Sequence, residues 1–354
     1  MKILFYAKRN LHPPHLEPIR AWLAMHNPEH EIMYSSPPYR PSYDGLPGQG
    51  LPDRQIAEIR AWGADWMPDD RIPSWKPDVT VMADADFGGV FWGGRIVNVN
   101  HGLICKGTFY TDSPTVQREN GADLICVPGP IHAQILKRSI RRPIAPTGLV
   151  KFDPVGRGEL TQTSARQSFA IPNDARVVLL APTYNIELSA VPVLTDAVRH
   201  LARDGIRVLV KLHGMAPAEW QEMYRLLALV EEKVVYVDSS DLTPAIVAAD
   251  VVISDVSSAF MEAMALDRPV VLVDNPLQQR FPQYNPSDLE YAWRDVGLQV
   301  TTPEETLAAV KRSLEQPEEK AAKRAEYGPQ LVGPIDGRAS ERAGKAILAL
   351  VEES

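Results

Sequence analysis

"VVISDVSSAFMEAMALDRPVVLVD", Val251 to Asp274, reads as strand, acidic turn, two serines, helix, strand. The apolar run ending in Ser254 suits a buried strand. "SSAFMEAMAL" suits a helix with hydroxyls in its first turn and good helix formers behind them. Asp255, Ser257 and Ser258 therefore lie at a helix N-terminus, where unpaired backbone N–H groups and the positive end of the helix dipole favour a phosphate. Serine is also among the best N-caps, so this stretch alone reads equally as a cap.

The rest of the chain repeats the same rhythm. "KILFYA", "HEIMYS", "DVTVMA", "RIVNVN", "DLICVP" and "RPIAPTG" alternate with helical stretches in the first half. "RVVLLAPT", "RVLVKLH", "VVYVD", "VVISD" and "PVVLVD" do so in the second. This is the pattern of an α/β protein with two doubly wound, Rossmann-like domains. The polar stretch Gly156 to Ser168 interrupts it, and the junction is expected within Lys151 to Asn173. The expected domains are 1–150 on the acceptor side and 151–354 on the nucleotide-donor side, with a terminal helix at about 339–352 that packs on either domain. A ligand cleft is expected between the halves, beyond the carboxyl ends of the strands. "SSPPYRPSYDGLPGQGLPD", Ser35 to Asp53, reads as a long ordered loop or flap.

Composition sets limits. A chain of 354 residues, 45% hydrophobic, is long enough for two cores, and its formal net charge of −8 argues against a nucleic-acid partner. The only cysteines, Cys105 and Cys126, are not at metal spacing and read as buried filler in a reducing compartment. "MKILFYAKRN" is too short for a signal core or membrane span, so a cytoplasmic location is expected. The cluster Lys137, Arg138, Arg141 and Arg142 reads either as a solvated helix end or as a peripheral contact with anionic head groups.

The strand exits carry the polar residues. His101 follows "RIVNVN" directly before Gly102 and suits a general base, or else a turn histidine bonded to a carbonyl. "APTYN" places Thr183 after the first strand of the second half. "KLHG" places Lys211 and His213 two residues apart on a strand, hence on one face, with Lys211 alternatively a structural strand-end lysine. With the hydroxyls of "SDVSS" they would cradle a pyrophosphate. Glu262 lies one turn beyond Ser258, placed to accept from ribose hydroxyls or to be solvated. Asp84 and Asp86 in "ADADFGG" are a weak candidate pair for a divalent cation, and no metal and no cofactor are expected. Hydrolase elbow, Walker and zincin motifs are absent from the sequence.

Taken together, "NHG…KG", "APTYN", "KLHG", "SDVSSAFMEAMALDRPVV" and "DGRASER" resemble the CDP-glycerol glycerophosphotransferase family, the teichoic acid primases and polymerases, from about Asp78 to Arg342. The resemblance implies a GT-B architecture and a metal-independent transfer of a phospho-polyol from a CDP-activated donor to a hydroxyl of a wall, capsule or lipid-linked glycan, with CMP leaving. His101 resembles the family's base. Lys211, His213, Ser257 and Ser258 resemble its donor-phosphate contacts, with Asp255 shaping the turn. Asn100 stands where the family has tryptophan, Asn185 where it has arginine, Gly214 where it has proline, and Lys151 lies in a departed turn. A GT-B glycosyltransferase or epimerase using a UDP- or GDP-sugar is the alternative, because it shares the strand–turn–helix donor site.

Overall fold

The computed structural model describes residues 1–41, 48–87, 90, 92–103 and 112–352. Part of the loop at 35–53, Cys105 and the "KG" of "NHG…KG" thus lie outside the described residues. Strands β1 (Lys2–Tyr6), β2 (Glu31–Ser35), β3 (Asp65–Trp66), β4 (Val79–Met82), β5 (Arg95–Asn98), β6 (Leu124–Val127) and β7 (Ile144–Pro146) form one sheet in the order β3-β2-β1-β4-β5-β6-β7. Strands β8 (Val177–Leu180), β9 (Arg207–Val210), β10 (Val234–Tyr236), β11 (Val251–Ser254), β12 (Val270–Val273) and β13 (Gly297–Val300) form a second, in the order β10-β9-β8-β11-β12-β13. Every pairing in both is parallel.

The two sheets follow from how the chain buries apolar surface. β4, β8, β11 and β12 are buried at every position, as strands covered on both faces must be, and this explains their unbroken apolar runs. Helix Val191–Arg203 buries Val191, Leu194, Ala197, Val198 and Leu201, at three- and four-residue spacing, and joins Val178, Leu180, Val208 and Val210 in one core. In each sheet the order reverses between a first strand and a fourth, β1 with β4 and β8 with β11. That switch point is where open parallel sheets place ligands.

Two strands and one helix escape a reading by apolar runs. β3 has only two residues, and β13 begins with glycine and carries an exposed Gln299. Within the polar stretch, Gln162–Ser168 is a helix that buries only Ala165 and Arg166. A reciprocal Thr161–Ser164 capping box sets its start, rather than an apolar face.

The residues group into two compact units. Of the described residues, those up to Arg157, together with those from Val332 onward, make one; Gly158–Leu331 make the other. The terminal helix Ala339–Glu352 belongs to the first unit and buries Ala339, Ala343 and Ile347 in its core. Its N-terminus is fixed by Asp153, whose carboxylate accepts the amides of Ala339 and Ser340, each at 2.8 Å, and the Ser340 hydroxyl. Asp153 is buried, so these bonds are made out of water. Gly156 makes the approach possible, because a Cβ there would sit 2.2 Å from the Gly337 nitrogen. In "DGRASER", Asp336 also accepts from Arg342 at 2.9 Å, and Arg338 pairs with Glu341 at 2.8 Å. The motif is a clasp.

Asp153→Ala leaves two buried amides and a hydroxyl without an acceptor, and is expected to destabilise the chain by about 3 kcal/mol in denaturant titration. Asp153→Asn, which keeps one acceptor oxygen, is expected to lose less.

Candidate active site

In the first unit, the exits of β1, β4 and β5 are neighbours because their strands are. β1 delivers Lys8, Arg9 and His12; β4 delivers Asp84 and Asp86; β5 delivers His101. His101 is exposed, and its Nδ1 lies 2.7 Å from the Ala83 carbonyl oxygen. A carbonyl only accepts, so Nδ1 carries the proton and Nε2 keeps a lone pair. The ring stacks on His12, with centroids 5.4 Å apart and planes 21° apart. His101 is thus a turn histidine bonded to a carbonyl, and that bond leaves Nε2 as its acceptor nitrogen.

The turn that carries His101 is built from amides. Asn100 takes a left-handed backbone conformation (φ 56°), which a short amide side chain tolerates better than a bulky one. Its amide donates to Asn98 Oδ1 at 2.9 Å, and its side chain donates to the Cys126 carbonyl at 3.1 Å. Asn98 donates in turn to Glu119 at 2.8 Å. Burial pushes the Glu119 carboxyl up to about 7, with the Asn98 bond opposing and nearby Asp84 adding to the rise. Asn100, in place of a tryptophan, is therefore a structural part of the His101 turn. Burial, before nearby cations, holds His12 and His15 well below the ordinary histidine range, so both are neutral.

Asp84 and Asp86 each face a different cation. Asp86 bonds Lys8 at 3.0 Å, while Asp84 lies 3.4 Å from Arg9. His12, Asp84 and His101 instead bring one ligand-type atom each within 4.8 Å of one another.

In the second unit, the exits of β8, β9 and β11 gather Thr183, Lys211, His213, Asp255, Ser257 and Ser258 along one sheet edge. Asp255 is wholly buried. It accepts the amides of Thr183 at 2.9 Å, Ala190 at 2.8 Å and Ser257 at 3.0 Å. Burial pushes its carboxyl up to about 6 against the pull of those three N–H groups and of Arg294. Arg294 bonds the Asp255 carbonyl at 2.9 Å and, with its other arm, Asp274. Ser257 is the N-cap of helix Ser258–Ala265 and accepts the Ala259 amide. Ser258 is half-buried, and its hydroxyl has no hydrogen-bond partner among the described residues. Capping thus accounts for one serine and leaves the other. Glu262, in the same helix, is buried rather than solvated.

β9 ends at Val210, so strand alternation stops before Lys211 and His213 and does not set their direction. The turn does. The Met215 amide donates to His213 Nδ1 at 3.1 Å, which leaves the ring proton on Nε2 as a donor, and Tyr184 packs on the ring at 4.7 Å. Lys211 Nζ reaches the Leu212 carbonyl at 3.2 Å. Asn185, where the family has arginine, accepts the Glu187 amide at 2.8 Å in a local turn. Gly214 is exposed, and a Cβ there meets nothing within 4 Å.

Sequence reasoning missed Lys8, Arg9, His12, His15 and Arg294. The first four follow β1 directly, and inspecting that strand exit like the others would have found them. Arg294 precedes a strand that carries no unbroken apolar run.

The profile of CDP-glycerol:poly(glycerophosphate) glycerophosphotransferases matches residues 101–349, from the stacked histidine into the clasped terminal helix. The chain belongs to this family. It is a CDP-glycerol glycerophosphotransferase-like transferase. The wall teichoic acid polymerase TagF, in a variant soaked with CDPG, aligns over 99% of this chain and 89% of its own, with a TM-score of 0.73 at 15% identity. A UDP-GlcNAc 2-epimerase from Neisseria meningitidis bound to UDP-GlcNAc aligns over 100% of both chains at TM-score 0.60 and 15% identity. A putative UDP-N-acetylglucosamine 2-epimerase from Listeria monocytogenes aligns over 100% of this chain and 97% of its own at TM-score 0.64 and 15% identity. These likenesses show the fold, α/β with two parallel-sheet Rossmann-like domains. No curated protein matches the transferase by sequence. Among the described residues no helix is long and apolar enough to cross a membrane.

Glu119 gives a pH signature. Its folded pKa lies above its unfolded one, so its contribution to stability is full below about pH 4.5 and is lost as pH rises through about 7. Relative to Glu119→Gln, the wild-type transferase is expected to lose roughly 3 kcal/mol between pH 4.5 and 8, read as the change in the gap between their unfolding free energies.

Proposed function

We propose that the transferase moves glycerol phosphate from CDP-glycerol to a hydroxyl of a teichoic-type glycan or lipid-linked acceptor, with His101 as general base and CMP as leaving group. The observation that carries this reading is the Ala83 carbonyl on His101 Nδ1, which leaves Nε2 as a lone-pair acceptor at an exposed turn. The acceptor hydroxyl gives its proton to Nε2, and its oxygen bonds the phosphorus that bears glycerol. The bond from that phosphorus to the bridging oxygen breaks, and CMP departs with the electron pair.

The second unit supplies donor binding. Its polar groups are Lys211, the Nε2–H of His213, the Ser257 and Ser258 hydroxyls, and the first amides of helix Ser258–Ala265. Thr183 and Asp255 hold the loop that presents them, and Glu262, buried in the second helical turn, would have to be uncovered to reach a ribose hydroxyl. With Asn185 committed to its turn, no arginine takes the place the family gives to one. Charge stabilisation on the donor then falls on Lys211, His213 and the helix amides. The basic residues Lys137, Arg138, Arg141 and Arg142 are all exposed, and a lipid-linked acceptor gives them an anionic surface to meet.

The test is nucleotide release from CDP-glycerol, CDP-ribitol, UDP-sugars and GDP-sugars with a lipid-linked glycan extract, in chelator. Acceptor-dependent CMP release from CDP-glycerol is expected, with His101→Asn slowing it by roughly 10²–10⁴-fold. Release of UDP or GDP instead would replace phospho-polyol transfer with sugar chemistry. Lys211→Ala and Ser258→Ala are each expected to raise the KM for CDP-glycerol about tenfold, the scale of one lost charge-assisted bond.

A further inference from the structure

We infer that His12, Asp84 and His101 form a binding site for a divalent transition-metal ion of the Zn²⁺ type. His12 is fully buried, yet neither Nδ1 nor Nε2 has a hydrogen-bond partner. Asp84 Oδ2 is likewise buried and makes no hydrogen bond, its nearest cation being Arg9 at 3.4 Å. The two groups face each other, His12 Nε2 lying 3.9 Å from Asp84 Oδ2, which is too long for a hydrogen bond. Buried polar atoms normally find partners, and two that converge without meeting mark the place of a third body.

The chemistry of the set selects that body. His101 completes a group of two imidazoles and one carboxylate whose ligand atoms lie within 4.8 Å of one another. Ligand bonds of about 2.0–2.2 Å would draw tetrahedral neighbours to about 3.4 Å, so side-chain shifts of an ångström or so close the site. The Ala83 carbonyl already holds His101 Nδ1–H, the outer contact that metal-bound histidines use to fix their tautomer. Two imidazoles disfavour Mg²⁺ and Ca²⁺, which take oxygen ligands. Arg9, 3.4 Å from Asp84 Oδ2, is the competing cation, and its side chain is 28% exposed, so it can swing toward solvent when the ion enters.

One consequence rests on the base reading above. An ion here occupies the Nε2 lone pair that takes the acceptor proton, so metal binding and transfer are mutually exclusive, and micromolar Zn²⁺ would inhibit. The experiment is a Co²⁺ titration of the chelator-stripped full chain, with Zn²⁺ competition against a chromophoric chelator. One equivalent with the strong visible absorption of four-coordinate Co²⁺ is expected. Asp84→Asn and His12→Asn are expected to weaken binding at least about tenfold, and exposed His26→Asn to leave it unchanged. Binding that survives both site variants, or only the weak spectrum of octahedral Co²⁺, overturns the proposal. Should His12→Asn fail to fold by circular dichroism, Asp84→Asn and the wild-type spectrum decide. Metal bound at full occupancy with transfer unimpaired keeps the site and removes His101 as the base.

Discussion

Asp255 has no exposed surface, and its carboxyl is raised by burial, yet it is surrounded by donors. Its two oxygens take the amides of Thr183, Ala190 and Ser257, which belong to segments leaving two different strands, β8 and β11. Those strands pair where the sheet order reverses, so the carboxylate closes the switch point itself. Unsatisfied, each amide would cost about 1–3 kcal/mol in that setting. One acidic side chain thus fixes both the loop that carries Thr183 and the turn that aims Ser257 and Ser258. Arg294 then binds this assembly to the exit of β12 through Asp274.

The first unit solves the same problem with amides. Asn98, Asn100 and Glu119 hold the turn before His101, and the Ala83 carbonyl from the adjacent strand exit sets its ring. The two histidines at the strand exits consequently hold opposite tautomers. His101 is bound through a donor and shows an acceptor; His213 is bound through an acceptor and shows a donor. The base proposed for His101 and the anion contact proposed for His213 need those opposite states, and the backbone supplies both without any change of residue type.

The strand–turn–helix at Val251 to Asp274 and the doubly wound rhythm were legible because buried parallel strands must be apolar throughout. So were the turn positions of Asp255, Ser257 and His101, which follow from strand ends. Directions of side chains beyond a strand were not legible. Lys211 and His213 are placed by a turn whose hydrogen bonds no periodicity encodes, and Glu262 is buried by its neighbours rather than by its own polarity. His12 was hidden for a different reason. "AKRNLHPPH" reads as charge after an apolar run, and only the adjacency of β1, β4 and β5 in space gives its histidines a partner.

The return of the chain to its first unit at Val332 makes the second unit an insertion within the first. During synthesis, Gly158–Leu331 is complete before the helix Ala339–Glu352 has been made, while the first sheet waits for that helix with Ala343 and Ile347 missing from its core. The inserted unit can therefore fold while its host remains open. The buried carboxylate of Asp153 accepts its two amides only once Ala339 and Ser340 have been made, so the unit that carries His101 closes after the inserted unit has left the ribosome.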